Sequence, residues 1–266
     1  MSILECSVVL VAGVVAGAVN TVVGAGTLLT FPLLVAVGVP ALTANVSNSV
    51  GLIPAAVTGA WGLRREVAGS WRTIARMAAL SAVGGVVGGV LLLRAPGAFR
   101  TVVPWLLVLA AALAAAQPRI AEALRRRDEA AHTATSPTAP RTGHAATRRV
   151  GPALAAGIVA TGVYGGYFGA AQGVVLLALL GAAWSADLHR ANGAKVVLAG
   201  VAQVVAGAMF VATGVVDWGV TATLAAGSAV GGLLGAPLAR RVPARVLRAL
   251  IVVAGAGAAV VLWVRG

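Results

Sequence analysis

The chain has 266 residues, of which 59% are hydrophobic and 10% are charged, and its formal net charge is +13. A soluble domain carries about 25% charged residues, so this composition excludes an ordinary soluble protein. The arginines lie in short clusters at the ends of apolar segments, where basic residues set membrane orientation. Nucleic-acid binding needs a continuous basic face, which this distribution does not provide. We therefore expect a lipid bilayer, and not nucleic acid, as the partner of this charge.

Long apolar blocks predict an all-α polytopic membrane protein. No charged residue occurs between residues 6 and 63, or between 150 and 186. Since about 20 apolar residues span a bilayer as a helix, each run holds more than one segment, and we expect about 8–10 segments in all. The predicted blocks are residues 7–37, 44–62, 73–93 and 101–117 in the first half, and 151–183, 191–214, 218–239 and 246–264 in the second.

The opening block of each half is too long for one simple helix. Residues 7–37 would form a helix of about 46 Å, against a hydrocarbon core of about 30 Å. Asn20, Gly24, Gly26 and Pro32 interrupt this block, which predicts a first arm to about residue 22 and a second to about residue 37. Paired, interrupted segments at matching positions are typical of a transport site. The glycines of the second-half block are Gly162, Gly165, Gly166, Gly169 and Gly173.

The chain repeats itself at an offset of 147 residues. Residues 71–96 and 218–243 are identical at 13 of 26 positions, and the same offset places Asn45 on Asn192 and Gly26 on Gly173. We interpret this pattern as two homologous membrane repeats, residues 1–117 and 150–266. Residues 118–149 separate them and lack apolar periodicity, which predicts a flexible basic cytoplasmic linker.

The basic loops favour opposite insertion of the two repeats. The strongest short clusters lie in residues 63–72 and 240–248, which are not equivalent under the offset. Placing both in the cytoplasm requires inverted halves. Parallel halves are the alternative, and they would leave four arginines outside.

Lys195 is the only lysine of the chain and lies four residues inside an apolar segment. A charge at membrane depth costs about 2.5–3.5 kcal/mol, so such residues mark functional sites. Asn192, three residues earlier, shares its helix face. We interpret the pair as part of an anion site facing the bundle interior. The alternative is a lysine that snorkels to the interface near Asp187, His189 and Arg190.

Other polar residues and glycines complete the predicted site. Asn45 and Asn48 occupy the equivalent first-half segment, and lipid offers an amide no partner. Glycines at the interruptions let backbone approach an ion and aim half-helix N-termini at it. Interhelical hydrogen bonding and close packing are the alternatives, and close packing is favoured for Gly84, Gly85, Gly88 and Gly89. The predicted substrate-binding residues are Asn20, Gly24, Gly26, Asn45, Asn48, Gly169, Gln172, Gly173, Asn192 and Lys195.

No catalytic set or metal site is predicted. His132 and His144 lie in the linker, His189 lies at a segment end, and Cys6 is the only cysteine. Without paired acids or a nucleophile beside a base, we predict no enzyme activity and no cofactor.

These motifs resemble the sulfite exporter TauE/SafE family of bacterial inner-membrane permeases. The resemblance covers nearly the whole chain except 118–149. It rests on GAVNTVVGAGTLLTFP at 17–32, GVP at 38–40 and AN at 44–45. In the second half it rests on GVYGGYFG at 162–169, ANGAK at 191–195 and GVVDW at 214–218. The chain departs from the family pattern at 170–173, where AAQG stands in place of a denser glycine run, and at Thr27.

The resemblance implies a transporter in the bacterial inner membrane that exports small inorganic or organosulfur anions such as sulfite or sulfoacetate. A basic site lined by amides has the charge that suits a negatively charged oxyanion. The alternative function is a membrane scaffold or assembly protein without transport, which would explain the small-residue faces but not the paired broken segments. The sequence predicts no particular oligomeric state.

Overall fold

Helices make up all the regular secondary structure of the described residues. The computed structural model describes residues 2–133, 149–185 and 187–241, without the side chains of 125, 127–133 and 236–241. The helices are α1 (Ile3–Val22), α2 (Thr27–Ala36), α3 (Ala41–Gly51), α4 (Ile53–Gly62), α5 (Trp71–Arg94), α6 (Pro96–Thr133), α7 (Pro152–Tyr167), α8 (Gln172–Ala183), α9 (Leu188–Ala212) and α10 (Trp218–Arg241).

Five of these helices are long and apolar enough to cross a membrane. The prediction of an all-α polytopic membrane protein is therefore confirmed. α2 and α8 are also apolar but have only 10 and 12 residues, so neither crosses a bilayer alone. The five candidate spans are Ile3–Val22, Trp71–Arg94, Pro96–Leu124, Leu188–Ala212 and Trp218–Gly235.

The predicted broken helix is present in both halves. In the first half α1 ends at Val22 and α2 ends at Ala36, close to the predicted arms. In the second half α7 ends at Tyr167 and α8 begins at Gln172. Both interruptions follow from glycines that adopt backbone angles unavailable to most residues, as described below.

One segment that the apolar pattern predicts to be continuous is divided in the structure. Residues 44–62 form two helices, α3 and α4, that meet at Leu52. Pro54 explains the division, because it has no N–H to donate to the carbonyl of Val50 and so interrupts the hydrogen-bond ladder.

The predicted linker is helical over its first part. α6 continues through Pro118 to Thr133, so residues 118–133 of the predicted linker are helical, while its flexibility and cytoplasmic location stay predictions. The segment is rich in Ala, Glu and Arg, which favour helix, and Glu122 pairs with Arg126 one turn later. The rest of the linker prediction, residues 134–148, and the predicted segment 246–264 lie outside the described residues.

Small residues hold the long helices together. α1 packs along α10, and α5 packs along α7. A Cβ at Gly84 would collide with the carbonyl oxygen of Val159 on α7, and a Cβ at Gly88 would collide with that of Val163. Only glycine therefore permits this approach of the two helices. The close-packing interpretation is therefore confirmed for Gly84 and Gly88, and it does not hold for Gly89, where the nearest contact of a Cβ would be 3.4 Å.

Two buried serines join the halves. Ser81 of α5 donates to the Leu198 carbonyl at 2.8 Å, and Ser228 of α10 donates to the Gly51 carbonyl at 2.6 Å. Donors and acceptors are each 147 residues apart, the offset read in the sequence. The duplication stays a prediction, and paired contacts of this kind are what it would produce.

Candidate functional site

The two helix breaks share one local geometry. Gly24 has φ +82°, and its N–H donates to the Val19 carbonyl at 3.0 Å. Gly169 has φ +75°, and its N–H donates to the Tyr164 carbonyl at 2.9 Å. Each glycine thus closes its helix with a bond reaching back five residues, in a backbone region where glycine carries little strain. Gly169 is therefore the counterpart of Gly24 in this hydrogen bond, whereas the offset of 147 places Ala171, which also has a positive φ, on Gly24.

The breaks touch each other. The Gly173 N–H donates to the Gly24 carbonyl at 3.2 Å, which joins the start of α8 to the end of α1. A Cβ on either glycine would lie against the backbone of the other. The two backbone segments can approach this closely because neither residue at the crossing has a side chain.

The backbone at the breaks leaves donors without partners. Among the described residues, the N–H groups of Ala25, Gly26 and Thr27 make no hydrogen bond, and neither do those of Ala170 and Ala171. They stand at the N-termini of α2 and α8, where partial positive charge collects. Ala171 also has φ +59°, a strained value for a residue with a Cβ.

Lys195 reaches the end of α1 from the other half of the chain. Its side chain is 1% exposed, and Nζ donates to the carbonyls of Thr21 and Val22, each at 3.2 Å. These carbonyls belong to the last turn of α1, whose negative end favours a cation. The ammonium is enclosed, so the snorkelling alternative does not describe this structure. Lys195 lies about 10 Å along α9 from its first residue.

Asn45 caps the other broken helix in the same way. Its Nδ2 donates to the carbonyl of Tyr167, the last residue of α7, at 3.0 Å. Each broken helix therefore ends against a polar side chain from the opposite half. The Asn45 amide is fully buried, and its oxygen makes no hydrogen bond in the described chain.

Two small cavities lie at the crossing. The lysine cavity is lined by Asn20, Thr21, Gly24, Ala55, Ala56, Gly173, Lys195, Val196, Ala199 and Gly200. The amide cavity is lined by Asn20, Gly24, Thr27, Ser49, Gly165, Phe168, Gly169, Gln172, Gly173, Ala199 and Gln203. Neither lining contains an aspartate or a glutamate. Each has room for about one or two water molecules, so neither holds a larger anion in this conformation.

The structure brings together six of the ten predicted site residues. Asn20, Gly24, Gly169, Gln172, Gly173 and Lys195 line the two cavities. Gln172 is 5% exposed, and its Nε2 donates to the Thr161 carbonyl at 3.0 Å, which fixes its orientation.

The other four predicted residues lie elsewhere. Gly26 packs against the Ala16 carbonyl of α1. Asn48 bonds to the hydroxyls of Thr27 and Thr30, the interhelical alternative in the sequence analysis. Asn45 and Asn192 share no hydrogen bond and line neither cavity; Asn192 is half-buried, with its amide oxygen unbonded among the described residues.

The predicted site did not include four polar residues that line the cavities, Thr21, Thr27, Ser49 and Gln203. Gln203 had a signal, because it is the only polar side chain between Val196 and the end of α9. Thr21 and Ser49 had none, since a hydroxyl in a helix usually bonds to its own backbone, as Thr21 does to the Gly17 carbonyl.

Helices long and apolar enough to span a membrane, paired broken helices and small polar cavities at their crossing define the chain as a polytopic membrane protein built like a transporter. It belongs to the sulfite exporter TauE/SafE family, whose family model matches residues 9–262. Members of this family are membrane permeases. The search of curated proteins and the search of solved structures each found no match.

Proposed function

We propose that the protein exports small sulfur-containing oxyanions, such as sulfite or sulfoacetate, across the bacterial inner membrane. The anion passes between the two helix breaks and is held at Lys195. The observation that carries this proposal is the enclosed ammonium of Lys195 beside the Gly24–Gly173 crossing. A lysine kept in a membrane helix is a functional feature by default because of its cost.

The chemistry of the cavities supports an anionic substrate. An ammonium has three donors, and carbonyls occupy two of those of Lys195, which leaves one for a ligand. The unpartnered N–H groups at the start of α2 and α8 add partial positive charge near the same crossing. Neither lining contains a carboxylate, so no negatively charged side chain among the described lining residues repels an oxyanion.

The membrane potential supports the direction. A potential negative inside drives a monovalent anion outward by about 2.3 kcal/mol per 100 mV. Export therefore needs no coupled ion, whereas uptake would need co-transported protons or cations. Because the cavities are too small for the anion, the two breaks must separate during each transport cycle, which is the gating expected of broken helices.

Counterflow of labelled sulfite in vesicles tests this function against a scaffold without transport. Purified full-length protein is reconstituted with unlabelled sulfite inside at alkaline pH, where little sulfur dioxide exists to cross lipid unaided. We expect transient accumulation of label that exceeds protein-free vesicles and that an outward-driving potential opposes. Label uptake equal to that of protein-free vesicles would overturn the proposal for sulfite and favour the scaffold.

A further inference from the structure

The amide cavity differs from the lysine cavity in its chemistry. Its polar side chains are Asn20, Thr27, Ser49, Gln172 and Gln203, and none carries a charge. The two cavities share Asn20, Gly24, Gly173 and Ala199, so they adjoin at the crossing of the breaks.

Three of these side chains have no partner. Thr27 accepts a hydrogen bond from Asn48, and Gln172 donates one to Thr161. In contrast, the side chains of Asn20, Ser49 and Gln203 make no hydrogen bond to any described residue, although Ser49 is only 7% exposed. Lipid supplies no partners, so unpartnered polar groups inside a membrane protein indicate water or a polar ligand.

The cavities follow one another along α9. Lys195 lines the first, Ala199 lines both, and Gln203 lines the second. The three residues are spaced four apart, which places Gln203 about 12 Å from Lys195 along the helix axis. A solute moving parallel to α9 would meet the ammonium and the amides in turn.

We propose that the amide cavity is a second, uncharged station for the transported oxyanion, in which the amides of Gln203 and Asn20 and the hydroxyl of Ser49 donate to its oxygens. This inference rests on the proposed function. Neutral donors hold an anion less tightly than an ammonium does. A weaker second site lets the anion leave Lys195 without being trapped, which is the condition for conduction through successive sites.

Charge reversal at Gln203 tests the second station. Gln203→Glu keeps the size of the side chain and places a carboxylate among the proposed donors. Gln203→Met keeps the length and removes the donors without adding charge. Gln117→Glu is the matched control, because Gln117 lies on α6 and lines neither cavity. Sulfite counterflow is measured for each variant per amount of folded, monodisperse protein.

We expect Gln203→Glu to lower flux at least about tenfold, Gln203→Met about threefold, and Gln117→Glu not at all, because only a carboxylate in the path repels the anion. Similar flux for Gln203→Glu and Gln203→Met would assign Gln203 a packing role and overturn the station. If Gln203→Glu does not fold, a Gln203→Met variant with unchanged half-saturation and rate would overturn it as well. Absent flux in the unmodified protein would instead remove the proposed function and the station together.

Discussion

At the residue scale, Lys195 combines two tasks that the geometry makes compatible. Two of its donors satisfy the last carbonyls of α1, and the group still lines a cavity. The two carbonyl bonds hold the amino group of Lys195 at the end of α1. Its position at the lysine cavity is therefore fixed by the last turn of that helix.

Glycine at position 24 is required for contact as well as for conformation, and Gly38 separates the two requirements. Gly38 also has a positive φ, of +92°, but a Cβ there meets nothing within 4 Å. Both Gly24→Ala and Gly38→Ala should cost about 1–2 kcal/mol of backbone strain. We expect only Gly24→Ala to lose sulfite counterflow as well, because its methyl would collide with Gly173. Thermal unfolding and flux are measured on both variants. Equal flux in the two would show that the Gly24–Gly173 contact is dispensable.

Residue-scale features divide into those that local pattern predicts and those that it does not. A lysine within an apolar membrane segment is energetically costly, so the sequence alone indicates that Lys195 is a candidate site residue. Its carbonyl partners could not be predicted, because Thr21 and Val22 lie more than 170 residues away in the chain. For the same reason the sequence did not reveal the hydrogen bond from Asn45 to the carbonyl of Tyr167, a residue 122 positions further along the chain.

At the element scale, the helix breaks are the feature that the sequence predicts best. Their length and glycine content are local properties, and α1 and α2 end close to the expected residues. The division between α3 and α4 had a signal in Pro54 that the apolar pattern obscured. The continuation of α6 depends on helix propensity and one ion pair in a charged segment, which hydrophobic periodicity does not detect.

Adjacent glycines on α5 provide an element-scale test of the helix contact. A Cβ at Gly88 collides with the Val163 carbonyl of α7, whereas a Cβ at Gly89 makes its nearest contact at 3.4 Å, with the Met209 sulfur. Gly88→Ala should therefore lower stability by about 1–3 kcal/mol through overpacking. Gly89→Ala should be neutral or mildly stabilising, since alanine favours helix. Thermal unfolding in detergent measures both; a Gly88→Ala protein as stable as the Gly89→Ala protein would contradict the close α5–α7 packing.

At the scale of the whole molecule, the orientation of the two halves remains a prediction. Inverted repeats place the segment near residue 130 in the cytoplasm and the C-terminus in the periplasm. We expect a C-terminal alkaline phosphatase fusion to be active, because that enzyme folds only after export. A silent phosphatase fusion together with a fluorescent cytoplasmic reporter at the same position would establish parallel repeats instead.

The central claim, that the anion binds Lys195 where the broken helices cross, is tested most directly by sulfite counterflow through Lys195→Ala and Lys195→Arg proteins at matched folded amounts. Loss of a charged hydrogen bond should lower flux at least about tenfold in Lys195→Ala. Lys195→Arg should rescue poorly, because a planar guanidinium does not fit the space of a compact ammonium. Full flux per folded molecule in Lys195→Ala, with only its stability reduced, would show that Lys195 caps α1 and does not bind the anion.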